Sequence, residues 1–292
     1  MISINTNNGG LFAAKAASQS QATIDSAMQR LSTGSRINNA KDDAAGQAIA
    51  TRLTAEIQGL EIASRNVADG QSLVDTAEGA LQETHTLLLR MREIGVQAAN
   101  GTLSTSDNQA LDAEFQQLVK EIDRIAQNTT WAGAALLNGN ATGDEDSTAT
   151  FSFQAGVGNN SGADVFDVTV KNADATTLDI YVEQTVSGVT SNSVGLLSQS
   201  SAQTAIGLVD TAIATVSSER ANLGAVSNRM ASTMANLDQI RVNLTASKGR
   251  IADADFAAET ANLAKGQILQ QAATAMLAQA NASKQQVLTL IR

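Results

Sequence analysis

Residues 53–91 read LTAEIQGLEIASRNVADGQSLVDTAEGALQETHTLLLRM. Leu53, Leu60, Val67, Val74, Leu81 and Leu88 stand seven residues apart, and Ala63, Ala77 and Met91 hold the position three residues further on. A strict seven-residue period keeps one seam of a helix facing a partner, which is the signature of a left-handed coiled coil. The stretch predicts an unbroken helix over residues 44–99, a rod of roughly 80 Å at about 1.5 Å per residue. Asn100-Gly101 breaks it, and Ser106 or Asp107 is placed to cap the next helix.

Leu111, Phe115, Leu118, Ile122 and Ile125 then repeat the 4,3 spacing, and the short connection predicts an antiparallel partner. A third long stripe starts at Ile206, Val209, Ile213 and Val216. It runs through Leu223, Val226, Met230, Leu237, Ile240 and Leu244 to Ile251. Its phase slips by one residue between Leu223 and Val226, beside Gly224, which predicts a local change of winding there. The two ends of the chain are narrower and richer in alanine. Ala14, Ala17, Ile24, Met28 and Leu31 make one stripe. Ala261, Ala264, Ile268, Ala272 and Ala275, with Leu269, Ala273, Met276 and Ala280 beside them, make the other, ending on Val287, Leu288, Leu290 and Ile291.

Residues 141–199 differ. Phe151 and Phe153, then Phe166, Val168 and Val170, then Leu178, Ile180 and Val182 alternate with polar residues, as half-exposed strands do. Gly156, Gly158, Asn159, Asn160 and Gly162 supply turns. This segment carries −7 of the chain's formal charge of −10. The fold class expected is therefore mainly α: a long antiparallel coiled-coil helical rod built from both termini, with a small β-rich central segment. An alanine seam removes little apolar area from water. The terminal stripes thus read either as helices that need neighbouring molecules or as a pair that closes within one monomer.

Composition narrows the function. The chain has 292 residues, with no proline, where about 15 would be usual, and no cysteine. Aromatic residues make up 3% and hydrophobic residues 43%, so its apolar surface comes from aliphatic side chains. No disulfide framework or thiolate metal site is possible, and His85, the one histidine, leaves no multi-histidine site. The negative charge speaks against a nucleic-acid partner held through phosphates. No run approaches the roughly 18 apolar residues of a membrane span. Met1-Ile2-Ser3-Ile4-Asn5-Thr6-Asn7-Asn8 lacks a basic and apolar leader pattern, so either the chain stays in the cytosol or it leaves by a route needing no such signal. No enzyme activity, cofactor or metal is expected.

Longer motifs go further. Leu31-Ser32-Thr33-Gly34-Ser35-Arg36-Ile37-Asn38 runs into Lys41-Asp42-Asp43-Ala44-Ala45-Gly46-Gln47-Ala48-Ile49-Ala50. Ala63-Ser64-Arg65-Asn66 and Ala77-Glu78-Gly79-Ala80-Leu81 follow. Near the end stand Asn222-Leu223-Gly224-Ala225, Asn228-Arg229, Ile268-Leu269-Gln270-Gln271-Ala272 and Leu277-Ala278-Gln279-Ala280-Asn281. Together they closely resemble bacterial flagellin, the subunit of the flagellar filament, over residues 1–140 and 200–292. The resemblance implies an inner terminal helical coiled-coil domain (1–42 and 250–292), a helical rod domain (43–140 and 200–249) and a variable segment (141–199). Phe153-Gln154-Ala155-Gly156 looks like a hairpin of the rod domain, so only a small projection is expected.

The resemblance implies a homopolymer that transmits motor rotation as thrust; the alternative is a hook-filament junction protein. It implies export through the flagellum's own type III apparatus to an extracellular filament, with an export chaperone and filament cap and junction proteins as partners. Ile24, Met28, Leu31, Ile268, Leu269, Met276, Leu288, Leu290 and Ile291 would pack in the polymer. Arg90, Ile94, Gln97 and Glu114 sit where the family contacts the vertebrate receptor for flagellin. The sequence departs there, with Leu89 where glutamine is common and Ile94 for a leucine. A solvated helix face or a subunit contact is the simpler reading of Arg90 and Glu114, and a frayed end that of the tail. Asp42 and Asp43 read as a helix start or as inter-subunit ion pairs, and Asp144-Glu145-Asp146 as an acidic turn lacking calcium-loop spacing. Ser147, Thr148, Ser161, Thr176 and Thr177 are candidates for O-linked sugars.

Overall fold

The structure is a computed structural model. It describes residues 6–138, 148–160, 162, 164–180, 183–186, 189–192 and 194–290, with the backbone alone at 183–186, 189–192 and 287–290. Val182, Asp144, Glu145, Asp146, Ser147, Ser161, the side chains of Leu288 and Leu290, and all of Ile291 lie outside the described set. The elements are α1 (Asn8–Thr33), α2 (Ala44–Ala98), α3 (Thr105–Asn128), β1 (Thr130–Trp131), β2 (Ala134–Ala135), β3 (Thr148–Gln154), β4 (Val165–Lys171), β5 (Glu183–Val186), β6 (Val189–Asn192), α4 (Gln199–Ala252) and α5 (Phe256–Leu290). The chain divides into a terminal unit, Met1–Gln58 with Arg241–Arg292, and a central unit, Gly59–Ile240.

In the central unit the heptad reading of α2 holds. Leu60, Ala63, Val67, Val74, Ala77, Leu81, Leu88 and Met91 are all buried, with Gly70 and Thr84 completing the ladder. On α4 the buried positions are Ala202, Ala205, Val209, Ala212, Val216, Glu219, Leu223, Met230 and Leu237. The two helices run antiparallel. Gln71 Nε2 donates to Ser227 Oγ at 2.8 Å, Arg220 meets Glu78 at 2.7 Å and Arg92 meets Asp210 at 2.6 Å, so one number falls as the other rises.

Two sequence expectations for the helices change. Ile206 and Ile213 are only half-buried, because Ala205 and Ala212 occupy the seam one residue earlier. Counted from those alanines, Val226 falls in phase, and α4 continues as a single helix past Gly224 without a slip. The cap of α3 is Ser104, not Ser106 or Asp107. Its hydroxyl accepts from the Asp107 N–H at 3.3 Å, while the Asp107 carboxylate accepts from the Ser104 N–H at 3.0 Å. This reciprocal box satisfies two donors that a helix start leaves open. α3 buries Phe115, Val119, Ile122 and Ala126, and leaves Leu118 and Ile125 half-buried.

β3 and β4 form an antiparallel hairpin, with Ala149 opposite Val170, Phe151 opposite Val168 and Phe153 opposite Phe166. Phe166, Val168 and Val170 are buried and alternate with exposed neighbours, as period two requires. Gly70 lets this hairpin approach α2. A Cβ there would stand 2.8 Å from Met230 Cε and 3.2 Å from the Phe153 ring. The Arg229 guanidinium lies over the Phe166 ring at 4.1 Å. In the turn that follows β3, the N–H groups of Ala155 and Gly156 both donate to the Asp164 carbonyl, at 2.7 and 3.0 Å.

Leu178 and Ile180 do not lie on a strand. The N–H of Leu178 donates to the Asp174 carbonyl and that of Ile180 to the Ala175 carbonyl, at 3.0 and 3.1 Å. Asp174 also takes the Thr177 N–H on its carboxylate, so this aspartate turns the backbone into a coil before a strand can form. Both apolar side chains are buried nonetheless. Side chains of α3 hold the adjoining loops: Asp123 accepts from Ala175 N–H, Asp112 from Leu196 N–H, and Gln116 donates to the Val194 carbonyl. A tight hairpin joins β1 to β2 through Ala132 and Gly133, both at positive φ.

In the terminal unit α1 and α5 lie antiparallel. Asn7 Nδ2 donates to Asn281 Oδ1, Gln270 Nε2 to Gln21 Oε1, and Arg30 to Glu259, at 3.1, 2.6 and 2.8 Å. Asn7 also caps α1 by accepting from Gly10 N–H, and Gly34 ends that helix at φ 69°. The chain then forms one antiparallel bridge, Ser35 with Asp253. Arg36 N–H donates to the Ala252 carbonyl at 2.7 Å and Ala254 N–H to the Gly34 carbonyl at 3.0 Å. The Ser35 hydroxyl adds a bond to the Ala252 carbonyl at 2.9 Å. The motif Thr33-Gly34-Ser35-Arg36 is therefore the clasp tying the segment after α1 to the segment before α5.

Candidate functional site

The α1–α5 pair meets through small residues. α1 buries Gly10, Ala13, Ser20, Ile24 and Ala27. α5 buries Glu259, Gly266 and Ala273, again seven residues apart. Gly266 makes room for the bulkiest member: a Cβ there would stand 2.8 Å from Ile24 Cγ1. With the seam occupied by small side chains, the large apolar ones point elsewhere. Phe12 is 74% exposed and Ile268 66%, and Leu11, Met28, Leu269 and Met276 are exposed as well. Phe12, Ala13, Ala16, Leu269, Ala272 and Met276 line an apolar groove of about 700 Å³ along the pair. An exposed apolar groove of this kind marks an interaction site.

Of the residues read as polymer packing, Ile24 faces the partner helix within the subunit, and Leu31 is half-buried. Met28, Ile268, Leu269 and Met276 lie open on the surface. The heptad that faces α1 runs through Glu259, Gly266 and Ala273, so the leucine and isoleucine stripe of α5 is not the face that closes the pair. Arg30 and Glu259 form an ion pair largely withdrawn from solvent in this otherwise bland seam, and Asn262 adds a bond to the Glu259 carboxylate.

Arg90, Gln97 and Glu114 are exposed in the central unit. Arg90 donates to Glu114 at 2.8 Å and to Glu93 at 3.0 Å. Its hydrogen bonds to the carboxylates of Glu114 and then Glu93 hold the guanidinium even more firmly protonated than usual. Ile94, expected beside them, is 1% exposed and belongs to the core. It sits three residues after Met91 on the buried side of α2, where no outside partner reaches it.

Asp43 starts a helix, and Asp42 holds the turn before it. The Asp42 carboxylate accepts the N–H groups of Asn39 and Asn38, which hold it below the usual carboxylate range. Asp43 accepts from Gly46 N–H at 2.8 Å, at the start of α2, and stands 3.6 Å from Arg36. Both carboxylates are thus occupied by backbone capping rather than poised for proton transfer. Among the described residues no helix is long and apolar enough to cross a membrane.

Two long helical regions flanking a strand-rich middle, joined by one clasp, define the class. Residues 4–142 match the bacterial flagellin N-terminal helical region and residues 206–291 the bacterial flagellin C-terminal helical region. The chain is 43% identical to the flagellin of Halalkalibacterium halodurans over 91% of both chains, and 40% identical to that of Bacillus subtilis over 99% of both. It belongs to the bacterial flagellin family. In fold it also resembles a Vibrio parahaemolyticus protein proposed to be flagellar hook-associated. That likeness has a TM-score of 0.56 at 15% identity, covering 73% of this chain and all of the other.

Proposed function

We infer that this chain is the structural subunit of a helical flagellar filament. The observation that carries the reading is the terminal pair, whose seam is closed by small residues while Phe12, Met28, Ile268, Leu269 and Met276 stay outside it. Identical copies meeting through such a surface by heterologous, non-closing contacts grow into a helix. In this reading residues 1–42 with 250–292 form the inner domain, 43–140 with 200–249 the domain around it, and 141–199 the outer surface. Leu288, Leu290 and Ile291 join the inner packing. Electron microscopy of the purified protein after addition of salt or filament fragments tests this. Long filaments are expected. Growth only as short stubs, or only on an existing junction, would instead support the hook-filament junction reading.

Export unfolded through the flagellar type III apparatus accounts for the absence of proline and cysteine. Neither slow prolyl isomerisation nor trapping disulfides then delay folding on arrival. Proline placed in surface loops should slow assembly, and unchanged export and assembly rates would count against the idea. A chaperone for the unassembled termini, and cap and junction proteins at the filament ends, are the partners this route requires. Arg90, Gln97 and Glu114 offer a charged and polar face to a host receptor, without Ile94. An Arg90→Ala protein that signals as well as wild type in a receptor reporter assay would remove that site.

A further inference from the structure

The described methionines divide by unit, and the division has a chemical meaning. Met28 on α1 is 56% exposed and Met276 on α5 is 65% exposed. Met276 lines the apolar groove together with Phe12 and Leu269. In the central unit Met91 and Met230 are fully buried, and Met234 is half-buried. Among the described residues, two methionines of the terminal unit are thus open to solvent and two of the central unit are sealed in its core.

We propose that Met28 on α1 and Met276 on α5 are two separate oxidation-sensitive positions that control whether a free subunit can assemble. The proposal rests on the filament reading above. The reactant is a peroxide. Its terminal oxygen is transferred to the methionine sulfur, so that an S–O bond forms as the O–O bond breaks. The thioether is oxidised by two electrons, and hydrogen peroxide is reduced to water. The product is polar and chiral, and its oxygen requires a hydrogen-bond donor. In the free subunit water supplies that donor, because both side chains are solvent-exposed, and the α1–α5 seam of Ala13, Ala27, Gly266 and Ala273 is untouched. Once another copy covers these positions the oxygen loses its water, at Met276 against groove side chains such as Phe12 and Leu269, and burying it uncompensated opposes association. Both positions are therefore open before assembly and shielded after it, so timing decides the effect.

The test uses the full-length unassembled protein, treated with hydrogen peroxide and quenched with catalase. Peptide mass spectrometry locates the sulfoxides, far-UV circular dichroism follows helix content, and elongation of untreated filament fragments is measured by sedimentation. Sulfoxide is expected at Met28 and Met276 well before Met91 and Met230. Helix content should be unchanged and elongation slowed by about tenfold or more. Methionine sulfoxide reductases acting on both epimers should restore elongation. A Met28→Leu/Met276→Leu protein should elongate equally well with or without peroxide, and filaments already assembled should resist oxidation at both positions. Normal elongation with both sulfoxides confirmed would overturn the proposal, as would equal oxidation of Met91 and Met230, or peroxide sensitivity retained in the leucine variant. Untreated wild-type protein that fails to elongate fragments would instead overturn the filament reading itself, and the proposal with it.

Discussion

The terminal and central units are both built from long antiparallel helices, yet they place their apolar surface in opposite ways. Every large side chain that is fully buried, from Phe115, Leu73 and Leu81 to Leu196 and Leu223, belongs to the central unit among the described residues. The terminal unit closes on Gly10, Ala13, Ala27, Gly266 and Ala273, and leaves Phe12, Ile268 and Met276 outside. A seven-residue repeat thus has two uses in one chain. Where the seam holds leucine and valine, burial stabilises the subunit itself. Where it holds mainly glycine and alanine around Ile24, little apolar area is buried, and Phe12, Ile268 and Met276 stay exposed on the subunit.

The sharpest contrast comes from truncating one large side chain in each unit. Phe115→Ala should destabilise the central unit by about 3–5 kcal/mol, because it empties a buried site. Met276→Ala should change the stability of the free chain by no more than about 0.5 kcal/mol, as for other surface positions. Urea unfolding followed by circular dichroism measures both, and comparable losses would erase the distinction. A smaller effect is expected at the Arg30–Glu259 pair in the terminal seam. Glu259→Gln weakens the bond to Arg30, and after solvent screening should cost about 1–2 kcal/mol in the terminal unit alone. Hydrogen exchange should report the loss along α1 and α5 while α2 and α4 within residues 59–240 keep their protection.

The smallest effect concerns helix starts. α1 is capped by the uncharged Asn7, and α3 by the box of Ser104 and Asp107. The Ser104 hydroxyl and then its N–H hold the Asp107 carboxylate below its usual range. Its contribution is therefore complete above the ordinary aspartate value of about 3.9 and is lost as pH falls through the lower folded value. Acid should loosen the first turn of α3 before that of α1, read by amide exchange. Asp107→Asn should remove the difference between neutral and acid pH.

The α2 ladder and the β3–β4 hairpin were legible because each has a strong period and large residues on a single face. The faces of α4 and α5 were less so. On α4, apolar residues stand at adjacent positions, Ala205 beside Ile206 and Ala212 beside Ile213, and the smaller member takes the seam. On α5, hydrophobicity points to Ile268 and Leu269, whereas the intramolecular seam uses Gly266 and Ala273. A helix that packs on other copies carries two apolar faces, and its sequence does not say which closes first. The clasp between Ser35 and Asp253, and the loop bonds made by Asp112, Asp123 and Gln116, are tertiary pairings that leave no local pattern.

The division between a self-sufficient unit and an outward-facing one is tested most directly by charging the exposed face alone. Full-length protein carrying Ile268→Asp and Met276→Asp should keep wild-type helix content and a wild-type urea transition, yet form no filaments by electron microscopy after addition of filament fragments. Filaments of normal length and number from that variant would contradict it, as would collapse of the terminal helices in the free chain.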